Sequence, residues 1–171
     1  MAIEFQCLRC GTCCRDLFND KAGLKKGISL TKSETKLFPE KMISPHMAVG
    51  MEKPKTIILY QLNASDCPFI DHSNKCLIYA NRPLMCQAFP IVNGIYSGKC
   101  KFFSFSKAGT KININWVEGN QLEAFGKLDR YIMNQFKRNF KKGIATWSFD
   151  LATNQWVLKN RYNVWTGSIS F

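Results

Sequence analysis

Apolar residues recur along this chain at two different periods, and the change of period marks its elements. Leu122, Phe125, Leu128, Ile132, Phe136 and Phe140 follow one another at intervals of three and four, which predicts a helix with one apolar face. Asn120-Gln121-Leu122-Glu123 has the form of an N-terminal cap with Glu at the third helical position, and Gly143 is a natural stop. At ~1.5 Å per residue this long amphipathic helix would run roughly 30 Å. Its other face carries Lys127, Arg130, Asn134, Lys137, Arg138 and Lys141. After Gly143 the period drops to two: Trp147, Phe149 and Leu151 alternate with polar residues. Trp156 and Leu158 follow a turn at Thr153-Asn154, so a C-terminal hairpin is expected.

The first half is more broken. Thr31-Lys32-Ser33-Glu34 is a capping box opening a short helix that must end before Pro39, with Leu30 as its staple residue. Residues 39–55 contain Pro39, Pro45, Gly50 and Pro54 and read as an irregular connector with room for one short strand. Thr56 to Leu62 is β-branched and apolar, a strand. Cys67 to Tyr79 resembles a hairpin, with turn chemistry from Asp71 to Lys75. Pro83 suits the first position of a helix that Pro90 keeps short. Gly94 and Gly98 mark turns, and residues 101–117 alternate enough to suggest a strand. With no internal repeat or long linker, one α+β domain is expected over residues 1–171. Residues 1–100 would be its cysteine-rich, metal-stapled part; residues 101–171 would supply the strand, long helix and hairpin.

Composition agrees with a packed core: 46% of the 171 residues are apolar, and 13 are Phe. No apolar run approaches the ~20 residues of a membrane-crossing helix. The first residues lack the basic and apolar regions of a signal peptide, so a cytoplasmic location without membrane partners is expected. The formal charge of +12 is uneven. Residues 1–98 hold twelve Lys or Arg against eight Asp or Glu, whereas residues 99–171 hold twelve against four. Thiolate-bound metal would lower the total, since four thiolates around a dication carry about −2.

That location changes the meaning of eight cysteines. In a reducing compartment they point to metal or redox chemistry and away from disulfides. Cys7, Cys10, Cys13 and Cys14 fall in one short loop, and Cys67, Cys76, Cys86 and Cys100 are the remote partners available to it. All eight are expected metal ligands. Thiolates select Zn²⁺, Cu(I) or iron–sulfur iron. Zinc sites are usually built from two separated C-x2-C knuckles. Three cysteines at x2, x2 spacing instead resemble a loop wrapping three corners of a [4Fe–4S] cube, with Gly11 letting the backbone turn closely. An iron–sulfur cofactor is therefore expected, with zinc as the alternative. Adjacent Cys13 and Cys14 should project differently, one to each of two centres, dividing the eight thiols four and four. Cys86, in the first turn of the Pro83 helix, should be favoured as a thiolate by the helix dipole. Arg9, Arg15, Lys75, Arg82, Lys99 and Lys101 lie beside the thiols in sequence, either offsetting an anionic centre or simply solvated.

Cys7-x2-Cys10-Gly11-x-Cys13-Cys14, then Cys67-Pro68-Phe69, then Cys76-x-Ile78-Tyr79-x2-Arg82-Pro83-x2-Cys86-x2-Phe89-Pro90 resemble the signature of the CxxCxxCC, or YkgJ-type, family of zinc- or iron-chelating domains. The likeness covers roughly residues 5–100. It implies a cysteine-rich metal domain of iron–sulfur type, and a related domain occurs in flagellin lysine N-methylases. Gln87 departs from the family, which usually has Arg after that cysteine, so a positive charge beside the centre is in question. The last seventy or so residues carry no motif of the family.

Other chemistry finds little support. His72 reads as a turn histidine and His46 as structural or exposed; neither belongs to a nucleophile triad. There is no G-x-G-x-x-G, no G-x4-G-K-[ST] and no H-E-x-x-H. Three functions stay open. The chain could be an iron–sulfur protein in electron transfer, or a small oxidoreductase or accessory protein with a redox partner. It could be a methylase-like enzyme or subunit acting on lysine in a protein partner. Or it could be a zinc-stabilised module holding nucleic acid or an acidic protein on the basic helix, although aromatics alternating in a hairpin more often pack a core.

Overall fold

Thr56 to Leu62, the most continuous β-branched run, forms strand β5 (Thr56–Leu62) inside the largest sheet. The structure is a computed structural model and describes residues 7–21, 23–92, 95–96, 100 and 120–165. The strand expected in 101–117, the turns at Gly94 and Gly98, and Lys99 and Lys101 lie outside the described residues. Within them the chain is α+β. Two short hairpins, β1 (Asn19–Lys21) with β2 (Leu24–Lys26) and β6 (Ile91–Val92) with β7 (Ile95–Tyr96), accompany an antiparallel five-stranded sheet. Its order is β3 (Ile28–Leu30), β5, β4 (Ile43–Gly50), β8 (Ile144–Asp150), β9 (Gln155–Tyr162). No helix among the described residues is long and apolar enough to cross a membrane.

The stretch 39–55, expected as a connector, instead contains the eight-residue strand at the centre of that sheet. Pro45 is tolerated because of where it falls. β4 pairs with β5 from Ile43 onward but with β8 only from Met47, and its register shifts between Pro45 and Met47. The missing N–H therefore sits where β4 is locally an edge. The capping box also has a different outcome. The Glu34 carboxylate accepts from the Thr31 N–H at 2.8 Å and hydroxyl at 2.9 Å, yet only a single 3-10 turn, Glu34–Leu37, follows. Leu30, expected as a staple, is wholly buried in β3.

The chain folds as two compact units: residues 1–17 with 65–128, and residues 18–64 with 129–171. Helix α2 (Asn120–Asn139) belongs to the first over its initial nine residues and to the second thereafter. It buries Ala124, Leu128, Ile132 and Phe136, a strict four-residue stripe. Leu122 lies off that stripe and is 40% exposed, contrary to the sequence expectation.

The second unit holds the whole five-stranded sheet. Phe136, Ile58, Leu59, Leu62 and Ala48 are almost fully buried there. Phe136 meets Tyr162 edge-on at 5.0 Å and stacks with Trp165 at 5.4 Å, while Phe149 and Trp156 meet at 5.2 Å. The expected hairpin is β8–β9, turning at Thr153 and at Asn154, whose φ is 56°. Gln61 ties three segments together: its Oε1 accepts from Gly27 N–H at 2.8 Å, and its Nε2 donates to the carbonyls of Pro45 and Phe149.

Candidate metal centre

The first unit contains all eight cysteines, and none of them is in a disulfide. Two stretches of backbone run side by side at its centre. Leu17 N–H donates to the Ser65 carbonyl at 2.7 Å, and Cys67 N–H to the Cys14 carbonyl at 2.8 Å. This ladder brings the loop cysteines to a residue more than fifty positions away. On the loop side, Gly11 takes φ +72° and precedes a 3-10 turn, Thr12–Cys14, closed by Cys14 N–H to the Gly11 carbonyl at 2.9 Å. A left-handed residue entering a tight turn is a glycine role.

That turn corrects one expectation. The sulfurs of Cys13 and Cys14 do not diverge but stand 3.9 Å apart. Two sulfurs on a tetrahedral ion with bonds of ~2.3 Å would be about 3.8 Å apart, so the pair has the separation that one metal ion takes. The reason for sending the two to different centres is therefore gone.

The thiols sense one another. Cys14 shares S–H contacts with Cys13 and Cys67, and this sharing raises its own pKa and lowers theirs to about 7. Burial pushes the Cys86 thiol up, and the charges of Cys67 and Cys13 push it further. Burial likewise raises Cys76, with Cys67 and Cys13 adding to it. Cys86 is the third residue of α1 (Leu84–Ala88), so the expected dipole-stabilised thiolate is outweighed in this five-residue helix by burial and neighbouring charge. The charges of Cys13 and Cys67 thus bear on Cys14, Cys76 and Cys86, and ionising these five thiols together calls for a cation. Cys7 and Cys10 are half-buried in the same loop, with Cys10 Sγ 3.3 Å from Thr12 Oγ1, and Cys100 is buried.

Of the four named cations that lie among the described residues, Arg9, Arg15, Lys75 and Arg82, it is Arg82 that draws Cys13, Cys76 and Cys86 towards thiolate. Its guanidinium lies 3.8 Å from the centre of the Tyr79 ring, and its Nε donates to the Tyr79 carbonyl at 2.9 Å. Gln87, where a second charge was in question, donates its Nε2 to the Arg82 carbonyl and so helps hold that residue in place. Tyr79 and Gln87 had no sequence signal for these roles beyond their spacing to Arg82. Asn74 was also missed. It accepts from Arg15 Nη2 at 3.0 Å, joining the expected Asp71–Lys75 turn to the cysteine loop. Asp71 builds that turn by accepting from the N–H groups of Ser73 and Lys75, both at 2.8 Å. One antiparallel bridge, Ile70 with Cys76, joins the arms of the expected hairpin, with Leu77 N–H donating to the Phe69 carbonyl at 2.8 Å.

Among the described residues, no group of three or more His, Cys, Asp or Glu already stands close enough to hold an ion. The chemistry of the donor set nevertheless fits a soft metal: the interacting groups are all sulfur, and His72 is exposed in its turn. A family model described as a "putative zinc- or iron-chelating domain", CxxCxxCC, matches residues 6–118. The chain belongs to the CxxCxxCC family. No curated protein and no solved structure matches it. The CxxCxxCC span includes every cysteine and ends just before α2, so metal chelation belongs to this part of the chain.

Proposed function

We propose that the cysteine unit is an iron–sulfur centre in which each iron takes two thiolates, and that the protein exchanges electrons with a redox partner. The 3.9 Å separation of the Cys13 and Cys14 sulfurs carries this reading. Four cysteines on a [2Fe–2S] centre give two per iron, whereas four on a [4Fe–4S] cube give one per iron. Cys13 and Cys14 would hold one iron, and two of Cys67, Cys76 and Cys86 the other. Such a centre would supply one-electron transfer. Arg82 would offset the negative charge of the thiolates and favour the reduced state, while Gln87 and Tyr79 keep its guanidinium and backbone positioned.

A second reading rests on the same separation. A single zinc ion also takes two vicinal sulfurs at this distance, and would staple the unit as a binding module without redox chemistry. Anaerobic purification with analysis for iron, acid-labile sulfide and zinc separates the two. Equal iron and sulfide, with visible colour that bleaches on reduction, supports the electron-transfer reading. A colourless protein with stoichiometric zinc overturns it in favour of the second. A [4Fe–4S] cube, identified by its Mössbauer and EPR spectra at four irons and four sulfides per chain, would overturn the pairing of Cys13 with Cys14 on one iron.

A further inference from the structure

Two loops of the second unit and the end of β9 converge at one end of its sheet, and all but one of their charged side chains are cationic. Gly50, Ala145 and Arg161 lie side by side across β4, β8 and β9. Just beyond Gly50 the β4–β5 connection exposes Lys53 and Lys55. The Arg161 guanidinium reaches back across the sheet to donate to the Met51 carbonyl at 2.7 Å. The α2–β8 connection meets the same place. A Cβ on Gly143 would lie 3.2 Å from the Met51 Cε, and Gly143 N–H donates to the Tyr162 carbonyl at 2.8 Å. That connection exposes Lys141 and Lys142, and the end of α2 exposes Arg138. Glu52 is the one acidic residue in these loops. Next to the cations, Phe140 and Trp165 pack at 5.8 Å, and both rings remain half-exposed.

We infer that this end of the sheet is a binding surface for single-stranded nucleic acid. Clustered cations suit successive phosphates, and a half-exposed aromatic pair offers a face on which a base can stack. The exposed large apolar residues of these segments are Met51 at 47%, Ile57 at 39% and Val164 at 68%, interspersed in sequence with Lys53, Lys55 and Arg161. The cations come from segments far apart in sequence, so the patch is made by the fold and not by a run of lysines. It does not depend on which metal the cysteine unit holds.

The test uses the full chain and a fluorescein-labelled, mixed-sequence single-stranded RNA of about 12 nucleotides, titrated by anisotropy across a series of KCl concentrations. If five phosphates are engaged, log K should fall against log salt with a slope of about −3.5. Lys141→Gln with Lys142→Gln should reduce the slope by about 1.4. Lys36→Gln with Lys41→Gln removes the same charge from exposed positions elsewhere on the unit and should leave the slope in place. Equal losses from both pairs would reduce the effect to net charge and overturn the proposal. So would absence of RNA binding, or binding to phosphatidylserine vesicles by a protein that ignores the RNA.

Discussion

Gly11 and Asn74 are in contact, and through them the cysteine loop rests on the Asp71–Lys75 turn. A Cβ added to Gly11 would stand 2.9 Å from the Cβ and Oδ1 of Asn74 and 2.8 Å from Ile70 Cδ1. Gly11→Ala must therefore both strain a left-handed backbone and push this turn away from the thiols. Gly23 is the natural comparison, since its φ is +73° but nothing lies within 4 Å of its missing Cβ. Gly23→Ala should cost about 1 kcal/mol, the backbone term alone. Gly11→Ala should cost about 3 kcal/mol, because overpacking adds to it. Urea unfolding compares the two, and equal losses would mean that the turn yields freely.

Replacing ligands should act on metal content before it acts on the sheet. Cys14→Ser removes the sulfur that links Cys13 to Cys67, and Cys86→Ser removes the half-buried thiol of α1. Each should lower bound metal by half or more, as should Cys10→Ser. Full metal content and unchanged melting in any of them would exclude that residue as a ligand. Stripping the metal with a chelator should speed amide exchange in residues 7–17 and 67–90 while β4, β5 and β8 stay protected. Uniform loss of protection over both units would contradict a centre that staples only the first.

Two buried polar side chains of the sheet should respond in opposite ways. Gln61→Leu leaves the Gly27 N–H and the Pro45 carbonyl without the partner they now have. A cost of about 3 kcal/mol is expected, since a stranded buried group loses its full desolvation energy. The Thr146 hydroxyl is buried with no hydrogen-bond partner among the described residues. Thr146→Val keeps its shape and should be neutral, or stabilising by up to about 1 kcal/mol. Urea midpoints for the two variants decide both points.

What the sequence disclosed depended on how local the cause was. β5 was legible because its residues carry their own strand signal. β4 was hidden by Pro39, Pro45, Gly50 and Pro54, and its partner β8 lies about a hundred residues away. The cysteine spacing identified the thiols and the family, but the direction of Cys13 relative to Cys14 is set by the tight turn after Gly11. Arg82 could not be singled out from five other cations, because its place depends on Tyr79 and on where the chain folds back. The basic end of the sheet was partly visible as a helix face. Arg161, Lys53 and Lys55 join it only through strand register.

Acid sensitivity should come from His46. It is buried in β4 with its Nδ1 3.1 Å from Ser29 Oγ, and burial, reinforced by the charge of Lys26, lowers its pKa to about 3. An unfolded histidine titrates near 6.5. Between those values the unfolded chain binds a proton that the folded chain refuses, so stability rises with pH across this window. The contribution is complete above pH ~6.5 and is progressively lost as pH falls towards 3. At pH 5 the loss from this one group should be about 2 kcal/mol relative to pH 7. Asp150 acts in the same direction but lower: bonds from the Thr153 hydroxyl and the Ala152 and Lys25 N–H groups depress its carboxyl pKa, so it matters only in stronger acid. The measurement is urea unfolding at pH 7 and pH 5 for the wild type and His46→Gln. The variant should be weaker at pH 7 and should lose about 2 kcal/mol less on acidification. Parallel losses in the two proteins would show that His46 takes up its proton without unfolding the sheet.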